Sequence, residues 1–132
     1  MRSNTLLIIG GTGFLGQSIL MYLLNTNSKK NRIRKITILS RHGLKKNNFY
    51  KKLKKKFQLI KINKNILKLK KLPYADYVIY APLLNNYNHD YKAVRHYSIL
   101  AKKYHQDSKI IYLSSGAVYG KQPNSIKKVK EN

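Results

Sequence analysis

The sequence predicts an α/β fold: a doubly wound parallel sheet of about five strands, in order 3-2-1-4-5, with helices on both faces. Three observations lead there. Short apolar or β-branched runs alternate with longer segments of helical periodicity along the chain, and strands separated by helices run parallel, joined by right-handed crossovers. Within the runs at 5–9 and 76–80, residues 6–9 and 77–80 are apolar consecutively, as strands covered on both faces are. The first run also ends in a glycine-rich loop that opens a helical stripe. With 132 residues and no internal repeat, the chain is expected to form one domain, 1–132.

Each element has its own reason. Residues 5–9 form a buried strand that stops at glycine. From 14 to 24, Phe14, Leu15, Ile19, Leu20, Leu23 and Leu24 recur at helical spacing, predicting a helix that buries this stripe. The Asn-Thr-Asn-Ser stretch at 25–28 closes it with turn-forming residues. A second strand covers 35–39, and a basic loop with a short helix follows over 41–56. Residues 57–62 alternate like a third strand. A helical turn at 66–72 is stopped by Pro73, and a fourth strand at 76–80 cannot continue past Pro82. The segment 87–104 is a polar-faced helix whose inward candidates include Val94, Tyr97, Ile99, Leu100 and Ala101. The fifth strand is 109–113, and the tail from Gly120 is loop-like.

Composition narrows the function. No cysteine occurs, which excludes disulfides, thiolate metal sites and cysteine nucleophiles. His42, His89, His96 and His105 lack metal-ligand spacing, so no metal site is expected. The start has no signal-peptide layout and no run approaches a membrane span; a cytoplasmic protein without membrane contact is expected. The net charge of +24 invites a nucleic-acid reading. Against it, the chain is also rich in Asn, Ile and Tyr while arginine is scarce; AT-rich codons account for that pattern without a polyanionic partner. The expectation is weak, salt-sensitive, non-specific adhesion to polyanions.

Gly10, Gly11, Thr12, Gly13, Phe14, Leu15 and Gly16 stand between a strand and a helix, the context a dinucleotide fingerprint requires. Gly10 or Gly11 would allow the turn off the strand. Gly13 would leave room for a pyrophosphate, and Gly16 would let the helix pack closely on the sheet. The helix start, with free N–H groups and partial positive charge, suits phosphate. After the second strand come Ser40, Arg41 and His42, with no acid in reach. A carboxylate there would favour NAD through the ribose hydroxyls; Arg41 suits a ribose 2′-phosphate by charge and forked geometry. NADP is therefore favoured over NAD.

A second motif closes the fifth strand: Ser114-Ser115-Gly116-Ala117-Val118-Tyr119-Gly120. Serine hydroxyls at the carboxyl end of a parallel strand sit where open α/β sheets bind ligands. Together the two motifs resemble the extended short-chain dehydrogenase/reductase family, and within it the NAD(P)-dependent epimerase/dehydratase group that modifies nucleotide-activated sugars. The resemblance implies a Rossmann-like dinucleotide domain spanning the chain. It gives Ser115 the role of the catalytic hydroxyl that hydrogen-bonds the sugar's reacting oxygen. It also places Ala81 beside the cofactor and Asn63 where the family usually has an adenine-contacting Asp.

The family also needs a Tyr-x-x-x-Lys pair after the serine motif, and none follows. Tyr50 and Lys54 have the spacing but precede the motif on another loop. The helix at 87–104 carries Tyr91 and Val94 where the family usually has Asn and Gly. The resulting expectation is an amino-terminal cofactor domain, cut before the substrate lobe and inactive alone. It would meet a nucleotide sugar only with a complementing carboxyl-terminal half. Two alternatives are a non-catalytic NADP-binding or interaction module and a basic nucleic-acid-binding domain.

Overall fold

The computed structural model describes residues 4–27, 32–45, 47–82 and 86–113. In chain order these form β1 (Asn4–Ile9), α1 (Phe14–Asn25), β2 (Ile33–Ser40), α2 (Asn48–Lys56), β3 (Gln58–Asn63), a 3-10 turn (Ile66–Lys68), β4 (Tyr77–Tyr80), α3 (Tyr87–Tyr104) and β5 (Lys109–Tyr112). The strands make one parallel sheet in the expected order, β3-β2-β1-β4-β5. In β1, Leu6 to Ile9 pair with Ile36 to Leu39 on one side and with Tyr77 to Tyr80 on the other. This central position explains why all four residues are buried. No described helix is long and apolar enough to cross a membrane.

Alternation along the strands divides the core into two layers. Leu6, Ile8, Ile36 and Ile38 meet Leu20 and Leu23 of α1, together with Tyr50, Leu53 and Phe57 from the α2 region. On the opposite face Leu7, Ile9, Leu39, Val78 and Tyr80 pack under Ile66, Leu69, Leu72, Ala93 and Tyr97. Each fully buried aliphatic side chain stabilises the fold by roughly 1.5–3 kcal/mol relative to exposure.

Two parts of the predicted inward stripes are corrected. Phe14 and Leu15 do not join the core but are 86% and 50% exposed, because the first turn of α1 projects past the carboxyl ends of the strands. On α3 the buried positions are Ala93 and Tyr97, with Val94, Leu100 and Ala101 partly covered. Ile99 is 60% exposed; two residues beyond Tyr97, it lies about 200° round a helix of 3.6 residues per turn. Phe57 is also not in β3: it caps α2 and packs into the α1–α2 layer.

Side chains close the element ends. Asn47 caps α2 by accepting from the Tyr50 N–H at 3.1 Å. Lys56, within the basic run, donates its ammonium to the carbonyls of Leu23 (3.0 Å), Leu24 (2.8 Å) and Thr26. It thus satisfies the end of α1, which has no basic residue in its own last turn. Asp76 precedes β4 and accepts from the Thr5 N–H (2.7 Å) and hydroxyl (2.9 Å), joining β4 to β1. His105 is buried between the Pro73 carbonyl (2.9 Å from Nε2) and the Tyr97 hydroxyl (3.3 Å from Nδ1). The carbonyl can only accept, so Nε2 donates to it; the neutral ring in that tautomer leaves Nδ1 to accept from the tyrosine.

Candidate functional site

The glycine loop leaves the carboxyl end of β1, the middle strand. Gly10 has φ +82°, and a Cβ there would lie 2.7 Å from the Pro82 nitrogen and 2.8 Å from the Ala81 carbonyl carbon. Both the turn and the close passage of the chain after β4 therefore require glycine. The Gly10 N–H donates to the Leu39 carbonyl at 2.8 Å, and the Ala81 N–H to the Ile9 carbonyl at 2.9 Å. Gly16 is held against the loop itself: its Cβ would meet the Gly11 Cα at 2.5 Å and the Gly10 oxygen at 2.6 Å. The expected close packing is present, but its partner is the turn more than the sheet.

Gly13 differs. It caps α1 with extended backbone, φ −74° and ψ 173°, that any residue can adopt, and no side chain caps the helix. A Cβ there would meet only the Gly10 oxygen, at 3.3 Å. Its missing side chain opens space above the loop. Gly13 lines that space at the start of α1, where no side chain caps the helix, the arrangement that suits an anion at a helix start.

That space is a cleft of about 940 Å³ across the carboxyl ends of the strands. Ile9, Gly10, Thr12 and Gly13 form its middle, and Phe14 and Leu15 flank it. Toward β2 it is lined by Ser40, Arg41 and His42, then by Lys64, Asn65 and Ile66 after β3. Toward β4 it is lined by Ala81, Pro82, Tyr87, Asp90, Tyr112 and Leu113. The volume lies within the range of small-molecule and cofactor sites.

Of the residues singled out in the sequence, Gly10, Thr12, Gly13, Phe14, Leu15, Ser40, Arg41 and Ala81 come together on this cleft. Gly11 and Gly16 do not line it: both are buried, Gly11 against the Ile38 side chain. Asn63 ends β3 in register with Ser40 and is exposed, while its successors Lys64 and Asn65 reach the cleft. The Ser40 hydroxyl donates to the His42 carbonyl, so it shapes the loop that presents Arg41 and keeps only its acceptor capacity. Ser115 and the motif around it lie outside the described residues. Lys64, Asn65, Tyr87 and Asp90 were missed, although a signal existed: they follow strand ends or open a helix, where such sheets bind ligands.

The cleft's polar chemistry is uneven. Arg41 and Lys64 stand on the β2–β3 side, whereas Asp90 supplies a carboxylate on the β4–β5 side. The Tyr112 ring stacks on Tyr80, centroids 5.3 Å apart and planes inclined by 22°. Burial, and then the nearby Asp90 charge, push the Tyr112 phenol above its ordinary range. The Tyr80 phenol is also raised, by burial first and then by Asp90. Neither is set up as a base near neutrality. Tyr50, whose spacing to Lys54 imitates a catalytic pair, is buried in the α1–α2 layer. Burial pushes its phenol upward, opposite to what a proton acceptor needs.

No family model matches the chain, and no curated protein matches it. Among solved structures it is similar to the reductase domain of the aureusimine biosynthetic cluster, with a TM-score of 0.59 and 17% identity. The match covers 89% of this chain and 34% of that one, so the chain spans about a third of that domain's length. At this identity the likeness establishes a Rossmann-like α/β fold.

Proposed function

We propose that the chain is an NAD(P)-binding domain of a reductase-type oxidoreductase in the manner of short-chain dehydrogenases, with NADP favoured. The observation that carries this reading is the cleft opened by Gly13, at the helix start after the central strand. The residues present fit the cofactor: the amides at the start of α1 would hold the pyrophosphate, and Arg41 would pair with a 2′-phosphate. Ala81 and Pro82 would border the opposite end. When bound, the nicotinamide supplies the hydride chemistry; the chain's part is to orient it and exclude water on the Phe14 and Leu15 side.

The finer reading, an epimerase/dehydratase acting on nucleotide sugars, is supported by the serine motif, with Ser115 as the hydroxyl that meets the reacting oxygen. Such a step also needs a proton acceptor. Among the described residues, no Tyr-x-x-x-Lys pair faces the cleft. Turnover on this reading requires a Tyr/Lys pair at the cleft, and a nucleotide sugar is the partner expected when one is present. The test is a fluorescence titration with NADPH and NADH. NADPH should bind more tightly, and Arg41→Ala should weaken NADPH selectively, by about 1–3 kcal/mol for one charge-assisted contact. Equal losses for both cofactors, or tighter NADH binding by the parent chain, would refute the assignment of Arg41.

A further inference from the structure

Acidic residues are scarce, and each has a distinct place. The chain has four, and residues 1–75 contain none. Asp76 is engaged by Thr5 and Tyr74 where β4 begins, and Asp107 is exposed between α3 and β5. Asp90 alone among the described acids lines the cleft. Half-buried, its carboxylate has no ion-pair or hydrogen-bond partner among the described residues. Its field nevertheless reaches the aromatic floor of that end, since it contributes to raising both Tyr112 and Tyr80.

The sheet order turns this into a statement about ligand orientation. β1 lies between β2 and β4, so a molecule held at its middle by the glycine loop extends one end toward Arg41 and Lys64. The other end extends toward Asp90 and Tyr112. A phosphorylated end is attracted to the first pair and repelled by Asp90. An end bearing positive charge has the opposite preference.

On the dinucleotide reading above, we propose that Asp90 makes the cleft distinguish the redox forms of the cofactor. It holds the oxidised form, whose nicotinamide ring is cationic, more tightly than the neutral reduced form. The ribose and carboxamide are common to both forms, so hydrogen bonds to them cannot produce this difference. A carboxylate on the protein near the ring can, and, unlike an aromatic face, its contribution is removed by a neutral isostere and screened by salt. At a half-exposed site, the attraction between two unit charges a few ångströms apart is of the order of 1 kcal/mol, or about fivefold in affinity.

The test measures dissociation constants for NADP+ and NADPH by calorimetry, for the parent chain, Asp90→Asn and Asp90→Glu, with circular dichroism of each. Asp90→Asn should weaken NADP+ about fivefold more than NADPH. Asp90→Glu, which keeps the charge, should preserve the parent ratio. In the parent itself the preference for NADP+ should shrink at high salt, as a screened charge interaction does; this arm stands even if the Asn variant does not fold. Equal weakening of both forms would make Asp90 a hydrogen-bond acceptor for shared groups and overturn the proposal. So would a ratio in a folded Asp90→Asn chain that is unchanged from the parent's, or, where that variant does not fold, a parent ratio that is insensitive to salt. Failure of the parent to bind either form would overturn the dinucleotide reading itself, a different outcome from binding without discrimination.

Discussion

Replacing Gly13 by valine separates the loop's two jobs, holding the fold and receiving a ligand. The backbone there, φ −74° and ψ 173°, is open to L-residues, and the new Cβ would meet only the Gly10 oxygen at 3.3 Å. Losing a tolerable glycine cap costs a few tenths to about 1 kcal/mol, and a stiffer unfolded chain returns about 0.4–1 kcal/mol. Folding stability should therefore change by less than about 1 kcal/mol. Binding should not survive. The valine methyls would occupy the space above the amides of α1, and losing two charge-assisted contacts at ~1.5–3 kcal/mol each weakens affinity by more than about a hundredfold. Gly16→Ala provides the contrast. Its Cβ would meet the Gly11 Cα at 2.5 Å, backbone that cannot yield cheaply, so the variant should lose stability before any question of binding arises. Urea unfolding followed at 222 nm, with NADPH titration of each folded variant, measures both quantities. A folded Gly13→Val chain that binds within threefold of the parent would remove the pyrophosphate from this loop.

Tyr80 is buried, and its hydroxyl has no hydrogen-bond partner among the described residues; Tyr80→Phe should therefore stabilise the fold, by about 1 kcal/mol, and a destabilised variant would mean that the hydroxyl is satisfied after all. Lys56→Met should cost about 1–3 kcal/mol by leaving the carbonyls at the end of α1 unpaired, whereas Lys52→Met, exposed on the same helix, should leave the urea midpoint unmoved. Burial pushes the Tyr97 phenol up to about 12. The unfolded chain releases this proton near pH 10 while the folded chain keeps it, so the Tyr97 contribution is intact below pH 10. It is lost progressively toward pH 12 at about 1.4 kcal/mol per pH unit. Urea unfolding across that window, with Tyr97→Phe showing a shallower decline, checks the sign.

The strand order and the position of every described element were legible in the sequence because local signals agreed with the global topology. The glycine loop placed β1 in the middle, and right-handed crossovers left one arrangement for the rest. What the sequence concealed was the reach of single side chains. Lys56 reads as one more lysine in a solvated run, yet it caps a helix more than thirty residues earlier. Its neighbours Lys51, Lys52, Lys54 and Lys55 are exposed, as a charged face should be. The difference is one of position along the helix: Lys52 shares its face one turn earlier, but only Lys56, at the end of α2, reaches the carbonyls that close α1.

The same reasoning explains why half of the candidate site was found and half was not. The β1–α1 loop and Arg41 are contiguous with strand ends, so their place on the cleft follows from chain order. Asp90 and Tyr87 reach it through the rotation of α3, and that rotation is set by packing. Hydropathy favours Ile99 as an inward residue, which would turn the helix the wrong way. The residues that seat α3 are instead Ala93, small enough to approach the sheet, and Tyr97, packed beside Tyr80 at 5.1 Å between centroids. Once those two are taken as the contact face, Asp90 follows at three residues before Ala93 and seven before Tyr97. That is one face of an α-helix, so Asp90 must share the sheet-facing side, beyond the strand ends where the cleft begins. A small residue and an aromatic one, neither the most hydrophobic in the segment, decide which carboxylate the cleft receives.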